Sequence, residues 1–172
     1  MSRFRISGGQ AKGRILQGPL ASGVRPTSSR VREALFSMVG QDLSETRFLD
    51  AFGGSGLMGL EAWSRGADVV VVEQRRNVAA ELKVRGQQVD ASWQVVVGDV
   101  CKCVQRLGAF DGIFMDPPYA LDPMPLLERL APYAKAWLVL ETQADTQVPA
   151  AASELSLDTQ RNYGSTTLSI YR

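Results

Sequence analysis

Arg47-Phe48-Leu49-Asp50-Ala51-Phe52 runs without a break into Gly53-Gly54-Ser55-Gly56, and then into Leu57-Met58-Gly59-Leu60-Glu61-Ala62-Trp63. This reads as a strand ending beside an acid, a glycine-rich loop and the start of a helix. Glycines let the backbone turn sharply and approach a ligand closely. The helix start beyond offers free N–H groups and a positive dipole end. Strand, loop and helix in this order open a doubly wound α/β domain.

Working outward, further strands are expected at Asp68–Glu73, Trp93–Gly98, Gly112–Asp116 and Ala136–Glu141, with the first at Arg47–Phe52. Helices are expected between them at Leu57–Arg65, Arg75–Arg85, Val100–Leu107 and Pro123–Tyr133. Apolar runs such as Val69-Val70-Val71-Val72 imply a mostly parallel sheet covered on both faces. Glu154–Asp158 and Asn162–Tyr171 read as a closing pair of strands. Upstream, Arg5–Gly9 and Gly13–Leu16 suggest a hairpin joined through glycine. Thr27-Ser28-Ser29 then supplies an N-cap for a helix running to about Gly40, with Val31, Ala34, Leu35 and Met38 on its apolar stripe. Arg30, Arg32 and Glu33 are expected off that stripe. Residues 1–40 are thus read as a small extension, and residues 41–172 as the catalytic body.

Composition narrows the chemistry. The 172 residues are 45% hydrophobic and 22% charged, as in an ordinary globular domain. No apolar run reaches the roughly 20 residues of a membrane span, and the N-terminus lacks a secretory stretch, so a cytoplasmic protein is expected. There is no histidine, which removes Ser-His-Asp, Cys-His and His-metal chemistry. Cys101 and Cys103 cannot complete a zinc site by themselves, so no metal is expected. The net charge of +1 conceals an asymmetry: Arg3, Arg5, Lys12, Arg14, Arg25, Arg30 and Arg32 lie in residues 1–32 without a single acid. The other 12 basic residues stand against all 18 acidic ones, leaving the body at −6. An acid-free basic arm of this kind reads as a polyanion-binding element, most simply for nucleic acid, with a solvated surface ribbon as the plain alternative.

Two cofactors fit the glycine loop. Gly54-Ser55-Gly56-Leu57-Met58-Gly59 matches G-x-G-x-x-G, and Glu73 follows at the distance expected for NAD. S-adenosyl-L-methionine uses the same loop and the same acid, and adds an acid at the end of the first strand, which Asp50 supplies. On this reading Asp50, Phe52, Gly53, Gly54, Ser55, Gly56, Glu73, Asp99 and Val100 form the cofactor site, with Asp99 beside the adenine pocket. The deciding feature is Asp116-Pro117-Pro118-Tyr119, placed where the strand Gly112–Asp116 ends. A dehydrogenase leaves that tetrapeptide without a task. An acid, a proline-locked carbonyl and an aromatic face can instead hold the exocyclic amine of a nucleobase for methylation.

These blocks together resemble the RsmD-like family of bacterial ribosomal RNA (guanine-N2)-methyltransferases. The similarity extends to Arg25-Pro26-Thr27, Val31-Arg32-Glu33-Ala34-Leu35-Phe36, Gly59-Leu60-Glu61-Ala62, Ser64-Arg65-Gly66-Ala67 and the tail around Tyr163-Gly164. The resemblance implies a Rossmann-like S-adenosylmethionine-dependent fold with an antiparallel final strand. It also implies a guanine of small-subunit (16S) ribosomal RNA as target, within a particle or assembly intermediate, with S-adenosyl-L-homocysteine as product. A monomer is expected. Gly54 stands where that family usually has alanine, Lys83-Val84-Arg85 where its helix usually ends in asparagine, and the stretch from Tyr119 to Glu141 is short. Two rival functions remain: an adenine-N6 methyltransferase acting on DNA or RNA, and an S-adenosylmethionine-binding assembly factor without turnover.

Overall fold

The computed structural model describes residues 1–172. Strand β3 (Arg47–Asp50), helix α2 (Leu57–Ser64), β4 (Asp68–Glu73), α3 (Arg76–Gln87), β5 (Gln94–Val97), α4 (Val100–Leu107), β6 (Phe110–Met115), α5 (Pro123–Leu130) and β7 (Ala134–Gln143) alternate as the apolar runs imply. A 3-10 turn at Ala131–Tyr133 links α5 to β7. After β7 come β8 (Ala151–Ala152), β9 (Leu155–Tyr163) and β10 (Thr166–Tyr171). One eight-stranded sheet holds them in the order β5-β4-β3-β6-β7-β10-β9-β8. The first five strands are parallel, and β10 enters antiparallel between β7 and β9.

The tail strands break later than expected. Tyr163 pairs with Thr166 across Gly164-Ser165, and Gly164 takes a φ of 64°. A two-residue hairpin needs that left-handed geometry, so the turn belongs at Gly164 and β9 runs on to Tyr163. The short β8 carries no signal in the sequence.

Pleating sorts the core into two faces. Phe48, Val69, Val71, Phe114, Trp137 and Val139 bury toward one side, and Leu49, Val70, Val72, Ile113, Met115 and Leu138 toward the other. The N-terminal segment covers the first face. Strands β1 (Ser2–Arg5) and β2 (Ile15–Gly18) pair antiparallel, ahead of helix α1 (Ser29–Val39). The paired strands overlap the expected spans only at Arg5, Ile15 and Leu16, and residues 6–14 form the turn between them, with Ile6 N–H donating to the Arg14 carbonyl at 3.0 Å. Gly9 explains this: its φ is 75°, and a Cβ there would stand 1.9 Å from the Ser64 carbonyl oxygen. The turn is pressed onto the end of α2, where Ser64 Oγ donates to the Gly8 carbonyl at 2.6 Å.

Ser28 caps α1, its Oγ accepting from Val31 N–H at 3.3 Å. Val31, Leu35 and Phe36 bury from α1 into the same core as Phe4, Ile6 and Leu16. Each such burial is worth roughly 1.5–3 kcal/mol. The extension is thereby fastened to the body by shared core rather than tethered to it.

Candidate active site

The register places four acids along one end of the sheet. Asp50 pairs with Val71 and Phe114, and Phe114 pairs with Val139. Two residues further along each strand come Glu73, Asp116 and Glu141. Because side chains alternate, all four carboxyls share the face that carries the N-terminal segment. They stand at the carboxyl ends of the parallel strands, where open α/β sheets bind ligands.

The glycine loop forms one half of the site. A Cβ on Gly53 would lie 2.8 Å from both Leu82 Cδ1 and Val71 Cγ1, and one on Gly56 only 2.5 Å from Leu82 Cδ2. Gly56 also takes a φ of 76° where α2 begins. Any side chain at these positions would push the loop outward. Asp50 sits beneath that helix start, 1% exposed. Its Oδ2 accepts from Gly59 N–H at 3.2 Å, while Oδ1 is buried without any partner. Burial pushes this carboxyl up to about 8, opposed by the Gly59 N–H and helped by the charge of Asp116. An unsatisfied buried carboxyl oxygen is costly, and a cationic donor arriving there removes the cost.

At the next strand, Glu73 accepts from Gly54 N–H at 3.0 Å and from Arg75 N–H at 2.8 Å. These bonds hold it at the loop with lone pairs to spare for hydroxyl groups. Asp99 is exposed and caps α4 through Cys101 N–H at 2.8 Å. Val100 is buried behind it, and Phe52 is half-buried at the loop entrance. Ser55 is buried, and its carbonyl accepts from Arg85 Nη1 at 3.0 Å. An orphaned acid under a helix start, a loop that only glycine can form and an anchored Glu73 suit a ligand with an ammonium group and a ribose.

Asp116-Pro117-Pro118-Tyr119 forms the other half. Asp116 follows β6 and is half-buried, and burial pushes its carboxyl up to about 6. Pro117 is buried, whereas Tyr119 is 56% exposed and open to a flat partner. Glu141, on β7, is raised by burial and then by the charge of Asp116, and its Oε2 is buried without a partner. Sequence reasoning did not single out Glu141 as a site residue. Its signal was an acid ending an apolar strand, the same signal that picked out Asp50 and Glu73.

The basic residues of the extension divide. Arg3, Arg5, Lys12, Arg14, Arg25 and Arg30 are exposed. Arg3, Arg5 and Lys12 line a cavity of about 620 Å³ together with Thr27, Ser28 and Ser29. Arg14 Nη2 donates to the Gln88 carbonyl at 2.8 Å, and Arg30 lies 5.8 Å over the Tyr163 ring. Arg32 departs from the expectation for both its helix face and its partner. It is 4% exposed, and its Nε donates to Glu61 Oε1 at 3.0 Å. Its other nitrogens donate to the carbonyls of Thr27 and Arg5. With all three nitrogens already donating to protein acceptors, it ties the extension to α2.

Glu61 is the centre of that tie. It also accepts from Ser7 N–H at 2.8 Å and Ser7 Oγ at 2.9 Å, and pairs with buried Arg65. Arg85 makes a second tie, donating to the Pro19 carbonyl from α3 while it holds Ser55. Arg75 Nη1 adds a bond to the Ser22 carbonyl at 2.9 Å. Residues 19–24 are thereby strapped against the glycine loop, with Val24 beside Gly54. Arg85 was not legible as a linking residue, because Ser55 and Pro19 lie in distant segments.

The family model described as Conserved hypothetical protein 95 matches residues 4–172. A relative from Escherichia coli K12, Ribosomal RNA small subunit methyltransferase D, is 32% identical over 99% of this chain and 90% of its own. The structure of a hypothetical protein from Thermus thermophilus is 31% identical and superposes with a TM-score of 0.83, covering 97% of this chain and 98% of that one. A T. thermophilus 16S rRNA N2 methyltransferase, RsmC, solved with AdoMet and guanosine, is 17% identical and shares the fold at a TM-score of 0.80. That superposition covers 99% of this chain and 49% of RsmC.

Proposed function

Because the chain belongs to the Conserved hypothetical protein 95 family, that of the RsmD-like methyltransferases, we propose that it methylates the exocyclic N2 amine of a guanine in 16S ribosomal RNA. The observation that carries this reading is the shared rim: Asp50 with its orphaned oxygen, and Asp116 with its proline corner, lie on adjacent strands and the same face. S-adenosyl-L-methionine supplies an electrophilic methyl on a sulfonium, and S-adenosyl-L-homocysteine leaves. Asp50 would hold its ammonium group and Glu73 its ribose hydroxyls, with Phe52, Gly53, Gly54, Ser55 and Gly56 around its middle and Asp99 and Val100 at the adenine.

An aromatic amine is a poor nucleophile because its lone pair is delocalised into the ring. Asp116 and the Pro117 carbonyl accept its two N–H bonds and favour a pyramidal nitrogen, which frees the pair. The nitrogen attacks the methyl carbon as the carbon–sulfur bond breaks toward sulfur, and the surplus proton leaves the nitrogen to Asp116 or water. Pro118 stiffens the corner, and Tyr119 stacks on the base. A paired base cannot reach this rim, so the target is unpaired or flipped out. Arg3, Arg5, Lys12, Arg14, Arg25 and Arg30 grip phosphates around it, within a small-subunit particle or an assembly intermediate. We place the enzyme in the cytoplasm as a monomer; no helix is long and apolar enough to cross a membrane.

The test supplies tritiated S-adenosyl-L-methionine with unmodified ribosomal RNA, small-subunit particles lacking the modification, and duplex DNA. N2-methylguanosine in digested RNA is the expected product. N6-methyladenosine, or binding of the donor without any labelling, refutes the assignment.

A further inference from the structure

Three of the four rim carboxyls have a task in the reaction just proposed, and Glu141 has none. Met115 of β6 pairs with Leu140 of β7, so Glu141 stands directly beside Asp116 on the same face, one strand spacing of about 4.8 Å away. On its other side is Leu168 of β10, fully buried and without a side-chain donor. No ion pair in the protein involves Glu141. Its Oε2 is closed to solvent and receives no hydrogen bond, while the residue as a whole keeps part of its surface open. Buried carboxyl oxygens are almost always satisfied, so a vacant acceptor at a reaction rim points to a donor on the ligand.

Guanine carries such a donor. Its N2 amine is flanked by N1–H on the same edge, so an acceptor next to the one holding N2 meets N1–H. Adenine presents the opposite pattern, because the nitrogen beside its N6 amine is itself an acceptor. Resting on the guanine-N2 reading above, we infer that Glu141 accepts the guanine N1–H through a carboxyl oxygen and makes the site choose guanine over adenine. Asp116 and Pro117 select an exocyclic amine, and Glu141 selects which base bears it. A site that leaves a buried polar group unpaired with the wrong base discriminates far more strongly than apolar fit does.

The experiment compares wild type, Glu141→Gln and Glu141→Leu. It reads methyl transfer from tritiated S-adenosyl-L-methionine to small-subunit particles lacking the modification, and calorimetric affinity for S-adenosyl-L-homocysteine. Glu141→Leu is expected to lower kcat/KM for the particle on the order of 100-fold with affinity for the cofactor product unchanged. Glu141→Gln keeps an acceptor carbonyl in nearly the same volume and is expected to stay within about tenfold of wild type. Equal rates for Glu141→Leu and wild type overturn the inference. So does a slow Glu141→Gln with intact affinity, or a parallel loss of product affinity, which would assign the residue to the cofactor pocket. The glutamine comparison stands alone if leucine is not accommodated. Failure of wild type to label any RNA would instead refute the underlying methyltransferase reading.

Discussion

Replacing Asp50 with asparagine keeps the side chain's size and shape but removes its proton equilibrium. In the folded protein burial holds this carboxyl near 8, against the pull of Gly59 N–H and with the push of Asp116. In the unfolded chain it ionises near 3.9. Between the two values the native state keeps a proton that the unfolded state has released, so native stability falls as pH rises through this window. From pH 5 to pH 7 this loss is on the order of 2–3 kcal/mol in all. For a chain of 172 residues that corresponds to about 5–10 °C in Tm. Asp50→Asn lacks this slope, so its stability relative to wild type should rise by that amount across the interval. Urea unfolding of both proteins at pH 5, 6 and 7, without cofactor, measures the difference directly. When an ammonium group docks, the carboxyl ionises against it, which asparagine cannot do, so S-adenosyl-L-homocysteine affinity should fall by about 10- to 100-fold. Parallel stability curves for the two proteins, or undiminished affinity, would refute the assignment of a protonated, ligand-awaiting acid at this position.

Other predictions follow from the same geometry. Asp116→Asn should leave cofactor affinity intact while slowing transfer at least about 100-fold; because burial raises Asp116 to about 6, the wild-type rate should climb as pH rises through that value, and the variant's pH profile should be flat there. Glu61→Gln strips the shared partner from buried Arg32 and Arg65, and should cost about 3–5 kcal/mol in urea unfolding. Arg3→Ala, Arg5→Ala and Lys12→Ala combined should weaken RNA binding and reduce the salt slope by about 2–3, read from binding at several salt concentrations. An unchanged slope would make the extension a solvated ribbon.

Legibility followed distance along the chain. Asp50, the glycine loop and Glu73 could be found because a strand end and the turn after it are local features. Register then makes strand ends converge, so Asp116 could be placed beside them from topology alone. The hairpin at residues 2–18 and the turn at Gly164 shifted from expectation because glycine marks a bend without saying which neighbour requires it. At Gly9 the requirement comes from Ser64, 55 residues away.

Arg32 gives the sharpest contrast. In sequence it belongs to an acid-free basic run and reads like Arg3 or Arg30. In the fold it is an internal tie, because Glu61 reaches it across α2 and two carbonyls complete its fork. Glu141 shows the converse, an acid ending a strand whose meaning appears only when β7 lies beside β6. Backbone periodicity and glycine chemistry act over a few residues, so the amino-acid order alone determined the α/β alternation, the loop and the Asp-Pro-Pro-Tyr corner. Burial and charge pairing act through space, so which arginines face solvent, and which acids are left without a donor, were decided by tertiary packing.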